Sequence, residues 1–406
     1  MAYIPPHKRH SKDSDAPKPS PSELPLPFHS QRSSRSRGGE IVYAQRSISR
    51  WFIAPSTRDD DDVDDDRLAC PVRLESIPCE SVEQRRGGEK PMVLVCDRLK
   101  TGETENCGNF GKSPWKLIVE KIQSDLLGSF QNVRDEMFSN ELKEKVKPSF
   151  IARFGKIFFH RNSVILDTLE KISDVERSLH QVRRSFYTNI SDSFMEAIHG
   201  EAIPEFRVDF GEDKEYYHVK VFDKSRPTAN ISCKCSVMEG GAELELCKIE
   251  LNEVRHLVVD ISCLNKNLDL RLTLRSKRIL TALDDEEKHG LLTLIKSAII
   301  DPHVKGGLRW PLGKESFGDR YSVVGIWHTK IQSYKSSSLR LELRLADRFD
   351  YRTSSGEATK EVILRMRGVT KQLRDEILEV DVINEMLLDN LKLIWNHFLC
   401  QGCSFD

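Results

Sequence analysis

The chain has 406 residues, 62 Lys+Arg against 63 Asp+Glu and 38% hydrophobic residues, which leaves room for two or three domains of roughly 150 residues, or one large domain with flanks. No run approaches the roughly 18 apolar residues of a membrane helix, and no apolar stretch follows a basic start as in a secretory leader. A cytosolic or nuclear protein is therefore expected, with its ten cysteines as reduced thiols rather than a disulfide scaffold.

The balanced net charge hides an uneven distribution. Residues 1–50 carry nine Lys/Arg against four Asp/Glu. Residues 1–40 are rich in Pro and Ser with almost no apolar periodicity, so they cannot bury enough surface to offset the entropy of ordering, and a disordered basic arm is expected. Ile41 to Ile53 is strand-like. The acidic block Asp59 to Asp66 repels itself and reads as a linker, so 41–66 form a short strand plus acidic spacer. Residues 67–148 are expected to be a helical and loop-rich first part of the core. Ser113-Pro114 opens a helix, with Trp115, Ile118, Val119, Ile122 and Leu126 at helical spacing up to Gly128. A second helix is expected over Val133 to Val146, stopped by Pro148.

From Phe150 the period changes to two. Tyr217, Val219 and Val221; Ile231, Cys233, Cys235 and Val237; Leu257, Val259, Ile261 and Cys263; Leu268 to Leu274; and Leu339 to Leu345 alternate apolar with polar residues, as half-buried antiparallel strands do. One helix interrupts them, with Asp284 and Glu287 spaced as a capping box and a stripe of Leu291, Leu294, Ile295, Ala298 and Ile299 ahead of Pro302. The chain ends in another amphipathic helix, with Ile383, Leu387, Leu391, Ile394 and Phe398 on one face. The expected fold class is α+β: a mainly antiparallel sheet with packed helices over 149–406, preceded by the disordered arm.

The opening Met1 to His10 (MAYIPPHKRH) resembles that of a family of plant proteins with no assigned function. So do Arg184 to Asn189 (RSFYTN), Ile231 to Cys235 (ISCKC), Val254 to Cys263 (VRHLVVDISC), Lys305 to Lys314 (KGGLRWPLGK) and Ala346 to Asp350 (ADRFD). The resemblance implies a plant protein and brings no activity, cofactor or catalytic residue with it. The same opening is similar to a Tyr-Ile-Pro-Pro-His-x-Arg element in the N-terminal region of some DEAD-box RNA helicases. In physical terms Pro5 and Pro6 hold an extended conformation that docks at little entropic cost, Tyr3 supplies an aromatic anchor, and Lys8 and Arg9 a charged rim.

Common catalytic signatures are missing. Gly111-Lys112-Ser113 lacks the first glycine of a phosphate loop, since residue 106 is Asn106, and Pro114 removes an amide where phosphate would bind. There is no Gly-x-Ser-x-Gly, His-Glu-x-x-His or dinucleotide fingerprint. Cys233 and Cys235 alternate into the core. Cys400-x-x-Cys403, even with His397, has no second pair to complete a zinc set, so no metal, cofactor or catalytic residue is expected.

The polar faces of the strands carry more information. Arg271 and Arg275 share one face, as do Arg340, Glu342 and Arg344, and beside His218, Lys220 and Lys234 they would form an Arg-rich surface able to contact phosphates, or an ordinary solvated sheet face. If the sheet instead curls into a barrel with its charges inside, Glu243-x-Glu245 followed by Lys248 resembles the triphosphate-tunnel metalloenzymes. That resemblance implies carboxylates on a divalent metal and Arg/Lys on phosphates. Cys247 stands where the family's strand has its lysine.

Lys305 to Lys314 combines phosphate-competent Lys305, Arg309 and Lys314 with paired glycines and Trp310, a face for base stacking. The competing reading is a Gly/Pro turn with Trp310 in the core. Gln31 to Gly39 (QRSSRSRGG) is a small Ser/Arg tract in which Arg35 and Arg37 would contact RNA phosphates. The leading expectation is a non-enzymatic protein that contacts RNA or an RNA-handling or translation complex. The alternatives are a metal-dependent phosphohydrolase or nucleotide-binding enzyme using Glu243, Glu245, Arg271 and Arg344, and a scaffold whose C-terminal helix offers its apolar stripe to a partner.

Overall fold

Alternation of apolar and charged residues becomes long antiparallel strand throughout the second half of the chain, because each strand can bury one face and leave the other polar. The computed structural model describes residues 42–54, 71–85, 87–96, 113–139, 144–160, 169, 171–206, 209–227, 229–241, 243–264, 266–375 and 379–399, which belong to one unit, Arg37–Asp406. In chain order the elements are β1 (Val42–Ala54), β2 (Val72–Ser76), α1 (Glu80–Arg85), β3 (Met92–Cys96), α2 (Pro114–Ser139), β4 (Glu144–His160), α3 (Ile172–Leu179), β5 (Arg183–Tyr187) and α4 (Asp192–Ala197). A π-helical turn (Ile198–Ala202) leads into α5 (Ile203–Glu205), β6 (Asp209–Asp223), β7 (Asn230–Val237), β8 (Leu244–Cys263), β9 (Asp269–Leu280) and α6 (Asp285–Lys296). The short strands β10 (Ile299–Ile300), β11 (Leu308–Arg309) and β12 (Ser316–Phe317) precede β13 (Tyr321–Lys335), β14 (Leu339–Asp350), β15 (Ser355–Met366), α7 (Arg367–Gln372) and α8 (Val380–His397).

The strand pairings close on themselves. Each of β4-β9-β8-β7-β6-β13-β14-β15 pairs antiparallel with the next, and β15 returns to β4 through Ile363↔Arg153 and Arg365↔Ile151. The result is a barrel with no edge along the circuit. β1 pairs parallel with the second half of β8, from Val42↔Val254 to Ala54↔Cys263, while β5 and the β3-β2 hairpin extend the sheet from the second half of β4.

The apolar face of this barrel points outward. Phe150, Phe154, Leu257, Leu272, Leu341 and Leu364 pack beneath α2, α7 and α8 in one core cluster, and Val219, Val221, Cys233 and Ile326 pack beneath α6 in another. Each fully buried side chain of this size contributes roughly 1.5–3 kcal/mol, so the helices are a coat that the barrel needs. The expected stripe Ile383, Leu387, Leu391 and Ile394 on α8 lies within that first cluster, at most 1% exposed. It holds the helix to the barrel and is not offered to a partner.

The α+β class with a mainly antiparallel sheet is what the structure shows. The capping box at Asp284 and Glu287 is present at the start of α6. Four local expectations differ. The two helices expected around 114–146 are one helix, α2, which passes through Gly128 and ends at Ser139, and β4 already begins at Glu144. Pro148 lies inside β4 without breaking it, because only β9 pairs there and β15 joins later, at Ile151. The 67–148 region also contributes strands β2 and β3, and its Cys96 is disulfide-bonded rather than reduced. No helix among the described residues is long and apolar enough to cross a membrane.

Candidate functional site

With the apolar positions facing out, the alternate positions of every barrel strand face a common lumen. β4 contributes Arg153, β9 contributes Arg271, Arg275 and Lys277, β6 contributes His218 and Lys220, and β7 contributes Ser232 and Lys234. Arg340, Glu342, Arg344 and Arg348 come from β14, and Glu361 and Arg365 from β15. In β8 the register with β9 slips between Glu250 and Glu253 and again between Arg255 and Leu257. These irregularities reset the parity twice, so that Lys248, Glu250, Glu253, Arg255 and Asp260 all face inward. Convergence across the lumen is evident from fields that reach between strands that do not pair: Glu253 acts on Lys220, Lys277 on His218, and Lys220 feels Arg348.

Carboxylates in the lumen are engaged by cations. Glu342 is bound by Arg340, Arg344 and Arg365, the last at 2.7 Å. Glu250 binds Lys248 and, at 2.9 Å, Lys277. Glu253 pairs with Arg275, Glu361 with Arg348, and Asp260 accepts a bidentate pair from Arg271 at 2.5 and 2.8 Å. Burial alone would raise the carboxyls of Glu250, Glu253, Glu342 and Glu361, but these basic neighbours hold all four below the usual carboxylate range.

The named cations nonetheless outnumber the carboxylates, and among the described residues several make no contact ion pair. Among the described residues Arg153 makes no contact ion pair, and its buried Nε has no hydrogen-bond acceptor. The Nε atoms of Arg275 and Arg348 and the indole Nε1 of Trp327 are also buried without an acceptor, although both guanidinium groups pair with glutamates through an Nη. Lys220 and Arg348 face the Trp327 ring at 5.7 and 4.2 Å, and Lys234 lies 3.2 Å from the centre of the Tyr216 ring. Burial and mutual repulsion push the ammonium groups of Lys277 and Lys234 down to about 8, lower Lys220, and keep His218 neutral. The side chains of Arg348, Lys248 and Lys277 remain 35%, 33% and 28% exposed, so water reaches the lumen.

The two ends of the lumen differ. Beyond Arg153 and Asp260 the inward positions become apolar: Ile157, Phe159 and Leu264 join Ile53, Leu94 and α3 residues Val175 and Leu179 in a separate cluster, against which the lumen closes. Arg271 over Phe186 (4.7 Å) and Arg184 over Trp51 (5.0 Å) mark the boundary. Toward the other end Lys147 is lowered by burial and by Lys248, Arg374, Arg365 and Lys145, a basic ring drawn from β4, β8, β15 and the segment after α7.

The structure brings Arg271, Arg275, Arg340 and Arg344 together with His218, Lys220 and Lys234, inside a barrel rather than on an open solvated face. Glu243 and Glu245 are exposed at the β7–β8 hairpin, far along β8 from the partner of Arg271. Lys305, Arg309, Trp310 and Lys314 lie on the outer surface beside α6. Trp310 donates to the Leu294 carbonyl at 2.9 Å and packs on the apolar cluster under α6, Arg309 pairs with Asp301 at 2.8 Å, and the positive φ angles of Gly306 (79°) and Gly307 (73°) make the turn. Arg35, Arg37, Tyr3, Pro5, Pro6, Lys8, Arg9, Cys400 and Cys403 lie outside the described residues. Sequence reasoning missed Arg153, Glu253, Arg255, Lys277, Arg348 and Glu361. For β4, a lone Arg153 inside Phe150 to Phe154 was the available signal. His256 is buried, its Nε2 2.8 Å from Ser276 Oγ and its Nδ1 without a hydrogen-bond partner. Among the described residues no group of three or more His, Cys, Asp or Glu is placed to hold a metal ion.

No curated protein matches the chain. Among solved structures it is similar to the Pct1 RNA triphosphatase of S. pombe, at 10% identity and a TM-score of 0.43 over 70% of this chain and 94% of that one. It is also similar to the Mimivirus capping enzyme triphosphatase (10%, 0.32, 68% and 98%) and to a putative adenylate cyclase from Bacillus halodurans (9%, 0.24, 54% and 91%). A family described as Domain of unknown function (DUF7903) matches residues 35–398.

Proposed function

Since the chain belongs to that family of unknown function, its role has to be argued from its own side chains, and we propose that the barrel is a receptor for a linear oligophosphate group. The observation that carries this reading is Arg153, a guanidinium on the lumen wall with no contact ion pair and a buried, unbonded Nε. A buried charge is expensive without a contact counter-ion: Glu361 and Glu253 attract Arg153 without touching it, Arg275 and Arg255 repel it, and burial, the largest effect, still lowers its guanidinium to about 9. A ligand with closely spaced negative charges and many acceptor oxygens removes both costs. A chain of linked phosphates meets that description, and planar guanidinium forks suit its oxygens. The same chemistry is borne by inorganic tripolyphosphate, by a nucleoside triphosphate and by the 5′ end of an RNA, which keeps the expected RNA association as one source of the ligand.

Calorimetric titration of the full chain separates these. Tripolyphosphate should bind, and Arg153→Met should weaken it by about ten- to a hundredfold, as for a charge-assisted contact. Tighter binding of triphosphorylated than of 5′-hydroxyl RNA would identify RNA as the bearer, whereas equal affinity for tripolyphosphate in wild type and Arg153→Met would remove the reading.

A further inference from the structure

We infer that the lumen takes its oligophosphate as the bare, metal-free anion, with Glu250, Glu253, Glu342 and Glu361 acting as internal counter-ions rather than metal ligands. This rests on the oligophosphate reading and narrows its ligand. The tunnel metalloenzymes that the sequence resembles imply a divalent cation held by paired carboxylates, and the residues present do not fit one. A hard divalent cation needs several oxygen ligands gathered at one point. Here the carboxylates are dispersed over β8, β14 and β15, and each is bound by one to three basic side chains: Glu342 by Arg340, Arg344 and Arg365, Glu250 by Lys248 and Lys277, Glu253 by Arg275, and Glu361 by Arg348.

Glu361 Oε2 has no hydrogen-bond partner, but a metal gathering further oxygens in this lumen would compete with guanidinium or ammonium groups at Glu250, Glu253 and Glu342 and would then face Arg153 and Lys220. An oligophosphate entering without metal has the opposite effect. It offers the cations a second set of oxygens while the carboxylates keep them in place, which is preorganisation for an anion. Magnesium chelation removes charge from the ligand and so removes the interaction the lumen is built to make. Neutralising a counter-ion should release cations toward the ligand, whereas neutralising a metal ligand should abolish binding; the two roles therefore predict opposite signs.

The test titrates the full chain with inorganic tripolyphosphate in excess EDTA and in excess magnesium or manganese, with phosphate release followed in parallel. Binding should be tightest in EDTA and weaken by roughly tenfold or more in magnesium, with no phosphate released above the background of the ligand alone. Glu342→Gln and Glu361→Gln should each bind the metal-free ligand equally well or up to about tenfold tighter. Thermal melts identify a variant that fails to fold, and the metal comparison on the wild-type chain stands without either variant. Binding that requires magnesium, or metal-dependent phosphate release lost in Glu361→Gln, overturns the inference and leaves the oligophosphate reading intact. No binding in either condition overturns both.

Discussion

Lys277 shows what the lumen does to a single side chain. Its ammonium lies 2.9 Å from Glu250, yet burial and the neighbouring Arg275 bring its pKa down to about 8, and Lys234 follows for the same reason beside Lys248. A bound anion favours the charged form and must raise these values. Just above pH 8 the free protein has lost part of these protons and the complex regains them, so binding takes up protons and affinity falls as pH rises, by up to about tenfold per pH unit for one such lysine. Below pH 7 the lysines are protonated in both states and their share of the dependence should flatten, leaving only the protonation of the ligand's terminal phosphates at about pH 6. Calorimetry in buffers of different ionisation enthalpy reads the uptake directly. Lys277→Arg, whose guanidinium stays charged, should reduce the uptake; an unchanged proton count would show that Lys277 does not face the ligand.

At the scale of elements, the lumen depends on irregularities more than on regular strand. The parity resets in β8 keep Glu250, Glu253, Arg255 and Asp260 on one side of a strand that bends around the barrel. Gly155, where β4 leaves the barrel to meet β5, is a second such point. A methyl group there would overlap the carbonyl oxygen of Tyr187, a backbone atom that cannot move without breaking the β4–β5 pairing. Gly155→Ala should therefore cost about 2–4 kcal/mol in urea unfolding. Gly128, inside α2, has open space where the methyl would go, and Gly128→Ala should instead stabilise by about 0.5–1 kcal/mol through helix propensity. Opposite signs at the two glycines would support this account; equal effects would not.

The described residues form a barrel turned inside out, with the apolar core between strands and coat and the charge enclosed. Cation crowding in the lumen works against the folded state, and anything that binds there stabilises it by linkage. Tripolyphosphate at a hundred times its dissociation constant should contribute about 2.7 kcal/mol and raise the melting temperature by several degrees. Sulfate or phosphate should raise it more than chloride at equal ionic strength. Identical melting in all three salts would show that the lumen cations do not act as an anion site.

By itself the sequence determined the α+β class, the strands after Phe150, the capped helix at Asp284 and the grouping of Arg271 with Arg275 and of Arg340 with Arg344. Each of these is a short-range period that one strand or helix imposes on its own residues. It misplaced the end of α2 and took Pro148 for a stop, because whether a proline interrupts a strand depends on which neighbours pair beside it. It left Lys305 to Lys314 open between a base-stacking site and a Gly/Pro turn, and packing sets Trp310 against α6. Only the tertiary structure decided that β15 returns to β4, that the charged faces therefore meet in a lumen, and that Arg153 is left there without a contact ion pair. Closure is a matter of register between residues two hundred positions apart, as in Ile363↔Arg153, and a two-residue period is the same for an open sheet as for a closed one.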